Sequence, residues 1–163
     1  MSPAAVTGKS HSYAARLIWE GNTGEGTAGY RTYSRTYRVT VPGKPDILGS
    51  ADTVFRGEAD KHNPEDLFLT AISACHMLSY LALCALEGVR VVAYEDEARG
   101  TLRTTPNGGG KFEEVTLHPR VTLAEGQDAA LALRLHDTAH ERCFIANSCS
   151  VPIRHEATLV SRT

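Results

Sequence analysis

One stretch of the chain is apolar on nearly every face. Residues 64–87 contain the run LFLTAISACHMLSYLALCAL. Asn63 is suited to N-cap a helix, Pro64 fits its first position, and Glu65 and Asp66 complement the positive end of the dipole. Gly88 is the matching stop. The pattern predicts a helix over 64–87 that is buried all round. Its length matches a membrane span, but Thr70, Ser73, His76 and Ser79 interrupt it, so it is read as a core helix. Ahead of it, residues 11–20 and 29–41 carry β-type alternation on either side of a Gly-rich turn at 21–26, and Pro42-Gly43-Lys44-Pro45 ends the second run. Behind it, strand-like stretches at 89–103 and 111–124 are joined by Pro106-Asn107-Gly108-Gly109-Gly110, a hairpin loop. Val115, Leu117, Val121 and Leu123 share one parity, and Pro119 demotes the middle of that stretch to an edge or bulge. A second helix is expected over 127–145 and a last strand over 151–160. This order predicts an α+β fold with helices packed on antiparallel sheet. No repeat and no linker divides it, so residues 1–163 are read as a single domain.

Composition alters this picture little. The chain is 163 residues long, with 42% hydrophobic and 22% charged residues, ordinary values for a soluble globule. Seventeen basic residues stand against 19 acidic ones. That balance supplies no basic field for nucleic acid. Residues 1–10 hold no long apolar run, so no signal peptide is expected and a cytoplasmic location is. Four cysteines in such a chain suggest reduced thiols kept for chemistry.

Cys75 and Cys84 lie nine residues apart on the long helix, on opposite faces and about 13 Å apart along the axis. They cannot bridge each other. Any pair must join one of them to Cys143 or Cys149. Cys84, within Leu81-Ala82-Leu83-Cys84-Ala85-Leu86, reads as a small buried hydrophobe. Cys75 lies among Ser73, His76 and Ser79, and Cys143 lies near His140, Asn147 and Ser148. A rival reading places zinc on His136, His140 and Cys143, spaced i, i+4 and i+7 on one helix face, with an imported fourth ligand. The thiol reading is preferred, and no metal or cofactor is expected.

Several motifs then fall into one order. Asn63-Pro64-Glu65-Asp66-Leu67-Phe68 precedes Ser73-Ala74-Cys75, with ten residues from Glu65 to Cys75. Ala139-His140-Glu141-Arg142-Cys143 precedes Asn147-Ser148. Phe55-Arg56-Gly57 and Trp19-Glu20-Gly21 lie upstream. Together they resemble the OsmC and organic hydroperoxide resistance family over roughly residues 17–160. The chain departs from that family in carrying His76 where Phe usually follows the first cysteine and Phe144 where Pro often follows the second. Its Gly-rich turn carries Glu25 and no Arg.

The resemblance implies an intertwined homodimer, with antiparallel sheets of both chains wrapped around two central helices. It also implies a thiol-dependent peroxidase that reduces organic hydroperoxides to alcohols in oxidative stress defence, with no metal, flavin or haem. Cys75 would attack the peroxide and Cys143 would resolve. The family's thiolate-stabilising Arg falls to Arg35, with Arg31 and Arg56 as the other candidates, and Glu65 would orient it. A guanidinium suits this because it stays charged when partly desolvated. Glu65 and Cys75 of one helix lie about 15 Å apart along its axis, so each pocket is expected to take its Glu65, and its Arg, from a partner chain. Phe68, Ile72, Met77 and Phe144 are candidate entrance residues, and His76, about 100° round the helix from Cys75, is expected to pack rather than act as a base. The partners implied are a second copy, an organic hydroperoxide and an external thiol, without nucleic acid or membrane. The alternative is a non-catalytic redox-sensing or hydrophobic-ligand-binding protein on the same fold.

Overall fold

The computed structural model describes residues 8–161, so residues 1–7 of the segment read for a signal peptide lie outside the described residues. The chain divides into two compact units, one ending at Pro64 and one starting at Glu65.

In the first unit, β1 (Arg16–Trp19), β2 (Tyr37–Thr40) and β3 (Ile47–Gly49) form one antiparallel sheet. The strands are shorter than the alternation predicts, and β3 was not foreseen. Residues 30–36 leave the sheet because their own side chains hold a different shape. The Arg35 guanidinium lies 4.6 Å from the Tyr30 ring centroid and 4.0 Å from that of Tyr33. Trp19 meets Tyr33 edge-on and donates its indole N–H to Ser34 O at 2.9 Å. Gly21 is required there, because a Cβ would fall 1.8 Å from that same carbonyl oxygen. A short 3₁₀ turn at Thr53–Phe55 follows, capped by the Asp52 carboxylate accepting from Val54 N.

The second unit is built on α1 (Pro64–Leu86), which ends one residue short of its expected end, and Gly88 at φ 75° leads the chain away. β4 (Val91–Asp96), β5 (Arg99–Thr104), β6 (Gly110–Leu117) and β7 (Pro119–Leu123) follow. Then come α2 (Ala129–Arg142), α3 (Phe144–Asn147), β8 (Ile153–His155) and β9 (Thr158–Ser161). The expected hairpin joins β5 to β6. The three longer stretches each split in two and feed different sheets, ordered β4-β7-β9 and β5-β6-β8. Asp96 sits at one split: its carboxylate takes Ser73 Oγ–H at 2.5 Å and His118 N–H at 2.6 Å. Pro119 opens β7 at another, and the apolar parity runs through it, with Val115, Leu117, Val121 and Leu123 all buried. The pairings β6–β8 and β7–β9 are parallel, the rest antiparallel.

Two apolar clusters result. Tyr80, Leu83, Cys84, Val121, Leu123, Leu135 and Ala139 form one, and Ile72, Val115 and Leu117 form the other. Both take residues from α1, which makes it the core helix of this unit. It is not buried all round, however. Ala71, Leu78, Ala82, Ala85 and Leu86 are exposed, Leu78 at 62% and Leu86 at 81%. The two sheets of this unit leave that stripe of the helix uncovered.

Replacing fully buried Ile72 by Ala is expected to cost about 2–5 kcal/mol, measured by denaturant unfolding. Leu78→Ala is expected to cost under about 0.5 kcal/mol if its face stays open to water. An equal loss at both positions shows that the Leu78 face is covered in solution.

Candidate functional site

Cys75 reaches its place on the fourth turn of α1, half-buried. Cys143 reaches it because α2 stops. Asp128 caps the start of α2, its carboxylate accepting from Leu131 N at 2.9 Å. The helix then runs to Arg142, three residues short of the expected end. Cys143 adopts extended dihedrals, φ −70° and ψ 109°, and serves as C-cap of α2 and N-cap of α3. Its sulfur accepts the N–H of Ala146 at 3.4 Å and has the Cys75 thiol as a neighbour. Of the pairs left open by spacing, Cys75 with Cys143 is the one the fold brings together. All four cysteines are free thiols.

The two sulfurs are not equivalent. Cys143 is 1% exposed. Burial pushes its pKa up to about 11, the Ala146 amide opposes that rise, and the neighbouring Cys75 sulfur adds to it. At neutral pH Cys143 is therefore a protonated thiol and a poor nucleophile. Cys75, less buried, faces reagents. Cys84 is buried against the Tyr80 hydroxyl, and desolvation raises its pKa as well. Cys149 donates its S–H to Ile145 O at 3.1 Å and lines an open groove of about 610 Å³ with Phe68, Phe112 and Val151.

Glu65 stands in the first turn of α1, and its Oε2 is buried without a hydrogen-bond partner among the described residues. Arg35, in the first unit, donates to Tyr33 O at 2.7 Å and Tyr30 O at 2.6 Å. Those bonds use two of the five N–H donors of a guanidinium. Arg56 holds a left-handed conformation, φ 66°, as C-cap of the 3₁₀ turn.

The entrance residues separate. Ile72 is core, and Phe68 stacks on Phe112 with centroids 5.1 Å apart. Phe144 is 80% exposed and lines an apolar groove of about 370 Å³ with Ala82, Leu83, Leu86 and Arg142. The zinc arrangement is replaced by another. His136 Nδ1 faces His76 Nε2 at 3.0 Å, and among the described residues no His, Cys, Asp or Glu group is arranged to hold a metal. The pair spans 60 positions, and only the polar character of two buried helix faces hinted at it.

A family model described as OsmC-like protein matches residues 57–157. Among solved structures, an OsmC-like protein of unknown function from Vibrio cholerae is 28% identical, with TM-score 0.80 over 91% of this chain and 100% of that one. An organic hydroperoxide resistance protein from Elizabethkingia anophelis is 20% identical, with TM-score 0.66 over 94% and 100%. The organic hydroperoxide resistance protein OhrB of Bacillus subtilis is also 20% identical, with TM-score 0.61 over 90% and 98%. No curated protein matches the chain.

Iodoacetamide at pH 7 is expected to alkylate Cys75 well before Cys143, with Cys143 labelling rising only as pH approaches 11. Peptide mass mapping after timed quenching reads both sites. Equal labelling of the two at pH 7 contradicts the division between them.

Proposed function

The chain belongs to the OsmC-like family, and on that premise we propose that it is a thiol-dependent peroxidase reducing organic hydroperoxides to alcohols. The observation that carries the reading is the contact between half-buried Cys75 and deeply buried Cys143. One sulfur is placed to attack and the other is held protonated within reach to resolve.

In the proposed cycle the Cys75 thiolate attacks the peroxide oxygen distal to the organic group. The O–O bond breaks, and the alkoxide leaves as the alcohol after taking a proton. Cys75 is left as a sulfenic acid. The Cys143 sulfur then attacks that sulfur, hydroxide leaves with the Cys143 proton as water, and a disulfide forms. An external dithiol returns both cysteines to thiols. A cation must favour the Cys75 thiolate and hold the peroxide oxygens, and Arg35 is assigned that role. Glu65 orients it; a buried carboxylate oxygen without a partner is what a guanidinium from a second copy would satisfy.

The same reasoning supports a homodimer, since the open face of α1 offers Ala71, Leu78, Ala82 and Leu86 to a second copy. It supports a bulky organic substrate, for which the groove at Phe144 and Leu83 is apolar. Free thiols throughout suit a reducing cytoplasm. The second reading, a non-catalytic redox or ligand-binding protein, is favoured by one observation. Arg35 is already held by the carbonyls and rings of its own loop.

Cys75→Ser is expected to abolish turnover of an alkyl hydroperoxide with a dithiol, followed by peroxide consumption. Cys143→Ser is expected to leave a single fast turnover and no dithiol-driven cycling. Arg35→Ala and Glu65→Gln are each expected to lower kcat/KM by about 10²–10³, with Arg31→Ala and Arg56→Ala within tenfold of the parent. Full activity of Cys75→Ser ends the peroxidase reading. Full activity of Arg35→Ala transfers the cation role to another residue.

A further inference from the structure

The largely apolar core contact between α1 and α2 includes one polar pair. His76 is 1% exposed and His136 fully buried. Their rings are within 7° of parallel, their centroids are 5.3 Å apart, and Nε2 of one lies 3.0 Å from Nδ1 of the other. That centroid distance equals the nitrogen separation plus one ring radius at each end. The rings therefore lie in line, and the bond is a straight N–H···N. Such a bond needs one facing nitrogen to donate and the other to accept, so it is lost once both imidazoles are protonated. Its outer nitrogens, His76 Nδ1 and His136 Nε2, are buried without partners among the described residues.

The groups facing this pair are few. On α1, the Tyr80 ring stacks on His136 at 3.8 Å between centroids. On α2 lie His140 and Asp137, on β8 His155, and on β4 Tyr94, which faces Tyr80. His155 stands 5.5 Å from the His76 ring and 5.9 Å from that of His136, and it pairs with Asp137 at 3.2 Å. Among the described residues, no carboxylate reaches the pair itself to compensate a charge. The same two elements carry the thiols: Cys75 precedes His76 on α1, and Cys143 ends α2 two turns beyond His136.

We propose that the in-line His76–His136 bond is an acid-sensitive clasp that positions α2 on α1 and so holds Cys143 against Cys75. Protonation of both rings puts two N–H groups and two positive charges across a bond with room for one proton, and the clasp opens. Here both histidines are positioning residues, and this inference rests on the role proposed for the two thiols. Burial first, then the neighbouring imidazoles, holds His76 down to about 4 and His136 to about 3. With folded values below the free value of about 6.5, the closed state is intact above pH 6.5 and loses stability as pH falls toward 4 and 3. Over that window each proton shifts the balance tenfold per pH unit, about a hundredfold for two.

The test uses the whole chain and diamide, an azo oxidant that takes two electrons and two protons from the thiol pair as it becomes a hydrazine. Diamide needs no peroxidase activity. Rates of Cys75–Cys143 disulfide formation are read by peptide mass mapping from pH 7.5 to 4.5. In the parent, the rate is expected to fall more steeply below pH 6.5 than the tenfold per unit lost with the thiolate. In a chain carrying His76→Phe and His136→Leu, it is expected to fall only tenfold per unit. Equal slopes overturn the clasp. Should that double variant not fold, a ¹⁵N–¹⁵N coupling between His76 Nε2 and His136 Nδ1 in the parent decides. The coupling present at pH 7.5 and lost together with disulfide formation supports the clasp, and its absence at pH 7.5 overturns it. A chain that shows the steep diamide profile without turning over peroxide loses the peroxidase reading and keeps the clasp.

Discussion

The stop at Cys143 organises the second unit. Had the helix continued to residue 145, the Cys143 sulfur would have followed the helical screw with its neighbours. Instead the residue takes a ψ of 109°, which turns its sulfur back under the next turn of chain. There it caps α3 through Ala146 N and meets Cys75. Asp128 fixes the other end of α2, and the run of Ala132, Leu135, His136 and Ala139 fixes the face it turns inward. Capping at both ends and one inward face leave the sulfur little freedom of position. A flexible loop cysteine would have to lose conformational entropy before reaching a partner.

A second tension lies in α1. Its mean composition asks for burial on every side, yet the sheets of one chain cover one side. Fully burying a side chain such as Leu78 or Leu86 is worth roughly 1.5–3 kcal/mol, and leaving a stripe of them in water forgoes that gain. The stripe recurs at helical spacing, through Ala71, Leu78, Ala82 and Ala85, and small residues along it permit close approach of another helix. The buried, unpartnered oxygen of Glu65 points the same way. Apolar surface and an unmatched carboxylate on one helix are two separate deficits that a second copy would remove together.

Much of this was legible in the residues. The limits of α1 follow from Pro64 and Gly88, local signals whose physics acts within one turn. The parity of Val115, Leu117, Val121 and Leu123 survives Pro119 because a strand start tolerates a missing N–H. Cys84 as packing and Cys75 with Cys143 as a meeting pair were within reach of spacing and polarity. Other features were not. Residues 30–36 alternate like a strand, but Arg35 between Tyr30 and Tyr33 wins over sheet pairing. No Gly or Pro marks the break at Cys143. The parallel pairings of β8 and β9 and the His76–His136 bond are long-range choices, set by what the rest of the core leaves open. Of the proposed site, the spacing of Glu65, Cys75 and Cys143 was legible, whereas the proposed cation is spelled by three arginines that the sequence cannot rank by position.

The burial of Cys143 carries a further consequence for the proposed cycle. A second thiol beside the reactive one is a competitor if it ionises first, because it would draw peroxide toward a deeply buried position. Desolvation removes that competition by keeping the proton on sulfur at neutral pH. The retained proton is then the one needed next. Condensation with a sulfenic acid expels hydroxide, a poor leaving group, and a proton travelling with the attacking sulfur converts it to water. A Cys143 of low pKa would attack faster but would arrive without that proton. The burial that disarms the second sulfur in the resting state thus equips it for the one step in which it is asked to react.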